Sequence, residues 1–267
     1  MQGFVIGIVV TYFFLKVSIP FLLVLAPDKP NKRSSHNTIT PGSGGVSFVF
    51  TTLLLALIQG EFQWFLCLPI AVVGLIDDRI KLSASIRYLA QLLTVYLIVN
   101  NTIYQDYQIV GFADYLNIAF LLFFGTAIIN FVNFMDGVDG LVAGCFFIIT
   151  LFASIYSQSF LIVLAASLLA FLFFNWQPAK VFMGDVGSTY LGSIFVMLVY
   201  GQNNIQEAIR YLLLASPIFL DAASTVLIRY RLNQNIFKLN NTRYKTWNFN
   251  NKFELNLDDL KKKTNLE

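Results

Sequence analysis

Carboxylates concentrate at the ends of the apolar stretches of this sequence, where a membrane would meet water. They are Asp77, Asp78, Asp136, Asp139 and Asp185, and each has glycine or a second acid as a neighbour. A carboxylate at the edge of lipid costs free energy unless it has a partner or a function. On one face, such a set would hold a divalent cation with its phosphate groups, so we interpret it as a candidate active site.

Paired polar residues mark the N-F-V-N-F-M-D-G-V-D-G-L segment. Asn130 and Asn133 are three residues apart, as are Asp136 and Asp139. Residues at this spacing share a face of a helix. Amide and carboxylate oxygens are the hard ligands that Mg²⁺ prefers, together with water and phosphate. A tight interhelical turn explains the glycines of one such loop, but three acidic loops on one face favour a site.

The D-D-R-I-K segment adds positive charge beside two of the acids. Arg79 and Lys81 follow Asp77 and Asp78 closely and would neutralise a bound phosphate. A capped helix end with a local ion pair explains this segment better when it is considered alone. The segment supports a phosphate-binding site only when it is considered together with the other acidic loops.

The M-G-D-V-G-S segment combines an acid with a predicted helix start. Gly184 and Asp185 lie on a predicted turn, and Ser188 is predicted as the N-cap of the next helix. The free N–H groups of a helix N-terminus bind anions. We therefore predict metal at Asp185 and phosphate at the Ser188 end.

The composition indicates an integral membrane protein. Hydrophobic residues make up 57% of the chain and charged residues 12%, with a mean hydropathy of +0.66, whereas soluble domains carry about a quarter charged residues. Cys67 and Cys145 lie apart within apolar stretches, which predicts packing roles rather than a disulfide or a metal pair. The apolar stretches lie at roughly 2–26, 45–60, 62–76, 84–103, 115–132, 140–157, 159–176, 187–201 and 209–228.

These stretches predict an all-α, polytopic transmembrane helical bundle of about nine spans. A crossing needs about 20 residues, so one of the short second, third and eighth stretches could be re-entrant. The first stretch is expected to be no cleavable signal, because a basic start and a cleavage site are missing. We predict a transmembrane catalytic domain over 1–228 and a basic cytoplasmic tail over 229–267.

The basic residues predict which side the acids face. With the N-terminus outside, all of the 18 Lys and Arg except Lys16 and Arg210 fall on the inner side. This asymmetry follows the positive-inside rule and places the acidic loops in the cytoplasm. The first inner loop also contains Arg33 and the single histidine, His36. It would serve as a basic anchor, although glycines 42, 44 and 45 favour a mobile loop.

Four segments together resemble a known family. They are D-K-P-N-K-R-S-S-H, G-L-I-D-D-R-I-K-L-S, N-F-V-N-F-M-D-G-V-D-G-L and F-M-G-D-V-G-S-T-Y-L-G. Their order is similar to that in the polyprenyl-phosphate N-acetylhexosamine-1-phosphate transferases, which are undecaprenyl-phosphate sugar-1-phosphate transferases of the glycosyltransferase family 4 type. The resemblance covers about residues 25–230.

The resemblance implies a Mg²⁺-dependent enzyme of the bacterial cytoplasmic membrane, with its active site facing the cytoplasm. Such enzymes transfer a sugar-1-phosphate from a UDP-N-acetylhexosamine to undecaprenyl phosphate and release UMP, the first membrane step of cell-envelope glycan synthesis. R-S-S-H is more similar to members that start O-antigen or capsule chains than to the peptidoglycan enzyme. Membrane lipid is an expected partner and nucleic acid is not, and a homodimer is left open.

Residue roles also follow from the resemblance. Asp77 and Asp78 would be the catalytic acids, and Asp185 and Asn133 would bind Mg²⁺, with Mn²⁺ as an alternative ion. Direct in-line attack by the lipid phosphate is expected, with a covalent route through an Asp nucleophile as the alternative. The implied substrate-binding residues are Asp136, Asp139, Lys81, Arg79, Asn130, Gly184, Ser188, Arg33, His36 and Arg243.

The sequence departs from the family pattern in three ways. The last inner loop, F-K-L-N-N-T-R-Y-K-T-W, lacks the usual histidines, and Arg243 and Lys245 would supply charge instead. Gly42 replaces an arginine of the T-P-R-G-G-G pattern. Nine spans are predicted where relatives have ten or eleven. A catalytically silent relative that binds polyprenyl phosphate or a partner transferase is therefore an alternative, and a cation transporter is a more remote one.

Overall fold

The computed structural model describes residues 2–28, 39–103, 111–156, 158–202, 204–217, 219–220 and 224. Within these ranges nearly all regular structure is helical, which confirms the predicted helical class. Residues 1–28 and 40–222 form one compact unit, and a second unit, 29–39 and 223–267, lies almost wholly outside the described residues. The predicted tail domain over 229–267 stays a prediction.

The described part of the chain contains nine α-helices, a 3₁₀ helix at Phe62–Cys67 and one pair of short strands. The strands are β1 (Pro27–Asp28) and β2 (Thr40–Pro41), and they pair antiparallel. The helices are α1 (Gln2–Leu25), α2 (Val46–Gln59), α3 (Leu68–Ile80), α4 (Ala84–Thr102), α5 (Phe112–Met135), α6 (Leu141–Tyr156), α7 (Leu161–Asn175), α8 (Gly184–Tyr200) and α9 (Ile205–Leu214).

Two of the described helices, α1 and α5, are long and apolar enough to cross a membrane, at 24 residues each. The apolar helices α2, α6 and α7 have 14, 16 and 15 residues. Large apolar side chains cover the outer faces of the long helices, and Val24 and Phe112 are 80% and 78% exposed. Exposed apolar surface of this extent is typical of an interaction with lipid or with another protein.

Several predicted loop residues lie instead on helix ends. The third apolar stretch divides into the 3₁₀ helix and α3, which has a proline in its first turn. Because α3 continues to Ile80, Asp77 and Asp78 occupy its last turn rather than the predicted loop 77–83. Asn133 and Asp185 likewise lie within α5 and α8. These four candidate residues therefore lie on helical backbone rather than in loops.

Helix α8 lies at the centre of the described unit and is buried from Val186 to Leu198. It packs against α3, α4, α5, α2 and α9. Gly74 allows α3 to approach closely, because a Cβ at this position would lie 2.7 Å from the carbonyl oxygen of Asp185. Small residues at helix contacts let two backbones meet in this way. The contact brings the acidic end of α3 next to the start of α8.

Candidate active site

A cavity of about 450 Å³ lies between the ends of α3, α4, α5 and α8. Four of the residues predicted from the sequence line it: Asp77, Asp185, Asn130 and Asn133. They come from three separate helices, so the structure brings together residues that the sequence only placed on one side. The remaining lining residues are Ile70, Val73, Gly74, Ala84, Ser85, Arg87, Tyr88, Gln91 and Thr189.

The carboxyl groups of Asp77 and Asp185 both line the cavity and lie close enough to interact through a hydrogen bond. Asp77 is buried, and its Oδ1 accepts the amide N–H of Leu82 at 2.5 Å. The guanidinium Nη1 of Arg87 lies 3.6 Å from Oδ2 of Asp77. Burial opposes ionisation of Asp77, but these donors and the Arg87 charge outweigh it and lower the pKa of this group.

The pKa of Asp185 shifts in the opposite direction to that of Asp77. Burial, the hydrogen bond with Asp77 and the charge of Asp78 raise the pKa of Asp185 to about 7. Asp77 follows the predicted span 62–76 directly, and Asp185 precedes the predicted span 187–201, so both acids lie outside the predicted spans. Two carboxyl groups this close both ionise only if a cation offsets their repulsion, and otherwise they share one proton.

The donor set of this pair fits a hard divalent cation. Mg²⁺ takes one or two carboxylates and completes its shell with water and substrate phosphate. Asp77 and Asp185 provide the carboxylates, and Asn133 provides an amide oxygen in the same cavity. No group of three His, Cys, Asp or Glu residues that could hold a metal occurs in the part of the chain that the structure describes. A cation here would therefore depend on neutral oxygens and on ligands from the substrate.

Asp78, predicted as the second catalytic acid, does not line the cavity. Its Oδ1 accepts the amide N–H of Asp185 at 2.7 Å, and its Oδ2 accepts that of Val186 at 3.4 Å. The Ser43 hydroxyl donates to the same Oδ2 at 2.7 Å. Burial raises the pKa of Asp78, and these three donors oppose that shift. Asp78 thus caps the N-terminus of α8 from a different helix.

Gly184 is needed for this cap. Its φ is +75°, a left-handed conformation that favours glycine. A Cβ at Gly184 would collide with the carboxylate of Asp78 and would lie 2.8 Å from the amide nitrogen of Ser43. The role of Gly184 is therefore a close backbone approach, and it does not line the cavity.

The prediction of Ser188 as an N-cap is wrong. α8 begins at Gly184, so Ser188 lies inside the helix, is buried and donates its hydroxyl to the Gly184 carbonyl at 3.1 Å. The carboxylate of Asp78 accepts the first amide groups of α8, so these groups already have an anionic partner. The sequence-based argument failed because a cap from a distant segment leaves no local signature at the helix start.

Asn130 is held by a reciprocal amide pair. Its Nδ2 donates to Oε1 of Gln91 at 2.8 Å, and Nε2 of Gln91 donates back to Oδ1 of Asn130 at 2.9 Å. Asn130 also donates to the carbonyl of Thr126 at 2.9 Å. The pair joins α4 to α5 and fixes the face of α5 that carries Asn133 one turn further on.

Asp136 and Asp139 lie between α5 and α6 and do not line the cavity. Oδ2 of Asp139 accepts the amide N–H of Ala179 at 3.0 Å. The next residue, Gly140, donates its N–H to Oδ1 of Asn175, also at 3.0 Å. Hydrogen bonds therefore join this loop to the last residue of α7 and to the segment that follows it.

The predicted cations are distributed unevenly. Arg79 and Lys81 are exposed and lie outside the cavity lining. The charge of Lys81 nevertheless lowers the pKa of Asp77, Asp78 and Asp185, so it acts on all three acids. Arg33, His36 and Arg243 lie outside the described residues.

Sequence reasoning missed the contribution of α4. Arg87 and Gln91 both line the cavity and contact two of the predicted residues, Asp77 and Asn130. The available signal was the spacing of Ala84, Arg87 and Gln91, since residues separated by three or four positions share one face of a helix. A basic residue at the inner end of a span also satisfies the positive-inside rule, which hid this signal.

The fold and the cavity define a helical protein with a cavity lined by acidic and amide side chains at the ends of its helices. The chain belongs to glycosyl transferase family 4, which residues 62–202 match. The matched region begins at the 3₁₀ helix and ends after α8, so it contains every described residue that lines the cavity.

Individual relatives are similar over most of the chain. It is 31% identical over 241 residues to the probable undecaprenyl-phosphate N-acetylglucosaminyl 1-phosphate transferase of Bacillus subtilis, covering 78% of this chain and 65% of the relative. It is 29% identical over 237 residues to the phospho-N-acetylmuramoyl-pentapeptide-transferase of Listeria monocytogenes, covering 72% of each. A Thermotoga maritima undecaprenyl-phosphate alpha-N-acetylglucosaminyl 1-phosphate transferase is 34% identical over 169 residues, covering 62% of this chain and 53% of the relative. The chain thus spans a little less than two thirds of the Bacillus relative.

Proposed function

We propose that this protein transfers an N-acetylhexosamine-1-phosphate from a UDP-sugar to undecaprenyl phosphate and releases UMP. The observation that carries the proposal is the contact between Asp77 and Asp185 in a cavity that also holds Arg87 and Asn133. Two adjacent acids that a cation would hold together, beside the positive charge of Arg87, suit a reaction between two phosphate groups. Family membership and the named activities of the relatives support this assignment.

Mg²⁺ would be held by Asp185 and Asn133, with Asp77 beside them and Mn²⁺ as an alternative ion. When bound, it would offset the phosphate charges and stabilise the leaving UMP. The chain's own cations add to this charge, because Arg87 reaches Asp77 and the field of Lys81 acts on all three acids.

The reaction needs alignment of two anions rather than a protein nucleophile. An oxygen of the lipid phosphate attacks the β-phosphorus of the UDP-sugar, and the bond to the bridging oxygen of UMP breaks. The carboxylate of Asp78 already accepts three donors, and that of Asp77 is engaged by Leu82 and Arg87. Carboxylates engaged in this way are poor nucleophiles, which supports the direct route over a covalent intermediate.

The same proposal places the chain in the bacterial cytoplasmic membrane, in cell-envelope glycan synthesis. About nine spans would cross the bilayer, with the cavity facing the cytoplasm. The two long apolar helices and the exposed apolar side chains support the membrane location. The distribution of Lys and Arg supports the orientation.

The test is UMP release by the purified full chain with undecaprenyl phosphate, Mg²⁺ and a panel of UDP-N-acetylhexosamines. We expect turnover with at least one donor and its loss in Asp185→Asn. Asp114→Asn is the matched control, because Asp114 lies at the opposite end of α5, where it accepts the N–H of Gly111. Folded wild-type protein that binds the lipid but releases no UMP would favour the silent relative and contradict the proposal.

A further inference from the structure

Ser43 has a backbone conformation that serine rarely adopts. Its φ is 58°, and in the described residues only Lys81 shares a positive φ without being glycine. A non-glycine residue in this region stores conformational strain. Ser43 is also 1% exposed, so solvent does not explain the polar side chain. A glycine at this position would adopt the same conformation without the strain.

The Ser43 hydroxyl has one specific partner, Oδ2 of Asp78, at 2.7 Å. The same carboxylate accepts the first amide groups of α8, from Asp185 and Val186. A hydrogen bond to a charged acceptor is about twice as strong as one between neutral groups. The strain at Ser43 is therefore offset by a bond to the group that closes α8.

The backbone after Ser43 contacts the same place. Gly44 donates its N–H to the carbonyl of Phe182, and Gly45 donates to that of Met183, both at 2.8 Å. These two bonds fix the segment against the residues that lead into α8. They involve only the main chain, so they hold the loop whatever side chain occupies position 43. The Ser43 hydroxyl is therefore not needed to hold this segment against the residues that lead into α8.

We propose that Ser43 is a positioning residue for Asp185. Its hydroxyl holds Asp78 against the first turn of α8, and that turn fixes the carboxylate of Asp185 beside Asp77. The inference rests on the proposed function, because the position of Asp185 matters only if this carboxylate works with Asp77 in the cavity.

Two substitutions separate this role from a structural one. Ser43→Gly removes the hydroxyl and relieves the backbone strain, whereas Ser43→Ala removes the hydroxyl and keeps the strain. Both would be measured in the full chain, by the kcat and KM of UMP release and by the thermal unfolding midpoint in EDTA and in Mg²⁺. We expect the midpoint in EDTA to be higher in Ser43→Gly than in Ser43→Ala.

The activity should not follow that stability difference. We expect kcat to fall about tenfold in both variants, with KM for the lipid within twofold of wild type and a higher half-saturating Mg²⁺ concentration. The Mg²⁺-induced rise in the midpoint should be smaller in both variants than in wild type. Ser43→Gly with wild-type kcat and Mg²⁺ dependence would overturn the inference, because the residue would then serve only the backbone.

The midpoint separates failure of this inference from failure of the proposed function. A wild-type protein without turnover contradicts the proposed function. The rise of its unfolding midpoint from EDTA to Mg²⁺ can still be compared with that of the two variants, and this comparison tests the role of Ser43. A shift that both variants reduce supports the positioning role, and an equal shift in all three proteins overturns it. A wild type with neither turnover nor a shift overturns both.

Discussion

Acidic residues occur at both ends of the bundle, but they form different kinds of contact. At one end of α5, Asp114 accepts the N–H of Gly111, three residues away, and at the same side Glu61 accepts from Gln63, two residues away. At the other end, Asp78 accepts amide groups 107 and 108 residues away. Local bonds of the first kind stay within one helix start, whereas the second kind joins two helices beside the cavity. The candidate site differs from the other end of the bundle in how far apart along the chain its hydrogen-bonded residues lie, rather than in its number of acids.

The largest effect should come from an acid that faces the cavity. Asp77→Asn keeps an acceptor for the Leu82 amide but removes the charge that faces Asp185 and Arg87. We expect UMP release to fall about 10²–10³-fold, the loss typical of removing one electrostatic stabiliser. The thermal midpoint should stay close to that of wild type. Activity above a tenth of wild type would remove Asp77 from the site.

The next effect should be on stability, at the acid that caps α8. Asp78→Ala leaves the buried amides of Asp185 and Val186 without their acceptor. An unsatisfied buried donor costs about 1–3 kcal/mol, which lowers the unfolding midpoint of a protein of this size by several degrees. Asp78→Asn, which keeps one acceptor oxygen, is the control. An Ala variant as stable as the Asn variant would contradict the cap.

A smaller effect is expected at the amide pair. Gln91→Leu removes both bonds to Asn130, which then keeps only its bond to the carbonyl of Thr126. We expect UMP release to fall about tenfold, through a displaced α5 face rather than through lost charge. The exchange Gln91→Asn with Asn130→Gln should recover part of the activity, because it restores one donor and one acceptor on each side. No recovery would mean that the pair acts through its shape rather than through its hydrogen bonds.

The smallest effect should come from the local caps. Asp114→Ala removes the acceptor for the Gly111 amide at the start of α5. Loss of a cap costs about 1 kcal/mol, so we expect a slightly lower unfolding midpoint and unchanged kcat for UMP release. A change in kcat as large as that of Gln91→Leu would remove the distinction between the two ends.

Much of this arrangement is predictable because hydrophobic patterning specifies the helices and places the acids near their ends. The grouping of Asp77, Asp185 and Asn133 followed from those two signals together with the family resemblance. The sequence cannot show which of two adjacent acids faces the cavity, because that depends on the rotation of α3 against α8. Asp77 and Asp78 therefore received the same role, although only Asp77 lines the cavity.

The other differences also arise from tertiary contacts. Ser188 follows a plausible turn, but the start of α8 is determined by the left-handed Gly184 and by Asp78, 107 residues before the amide that it caps. Arg87 and Gln91 gain their importance only from what α3 and α5 place opposite them. The sequence around these residues predicts neither the start of α8 nor the contacts of Arg87 and Gln91.

The cap of α8 also has a consequence for biosynthesis. Asp78 is synthesised 107 residues before the amide that it accepts. The four helices α4 to α7 are synthesised between the two. Until α8 leaves the ribosome and reaches α3, the first turn of α8 has exposed N–H groups, which are costly near lipid. The acidic pair of Asp77 and Asp185 can therefore form only after α8 has been synthesised and has reached α3. A nascent chain that stops before α8 has the acids of α3 but no site.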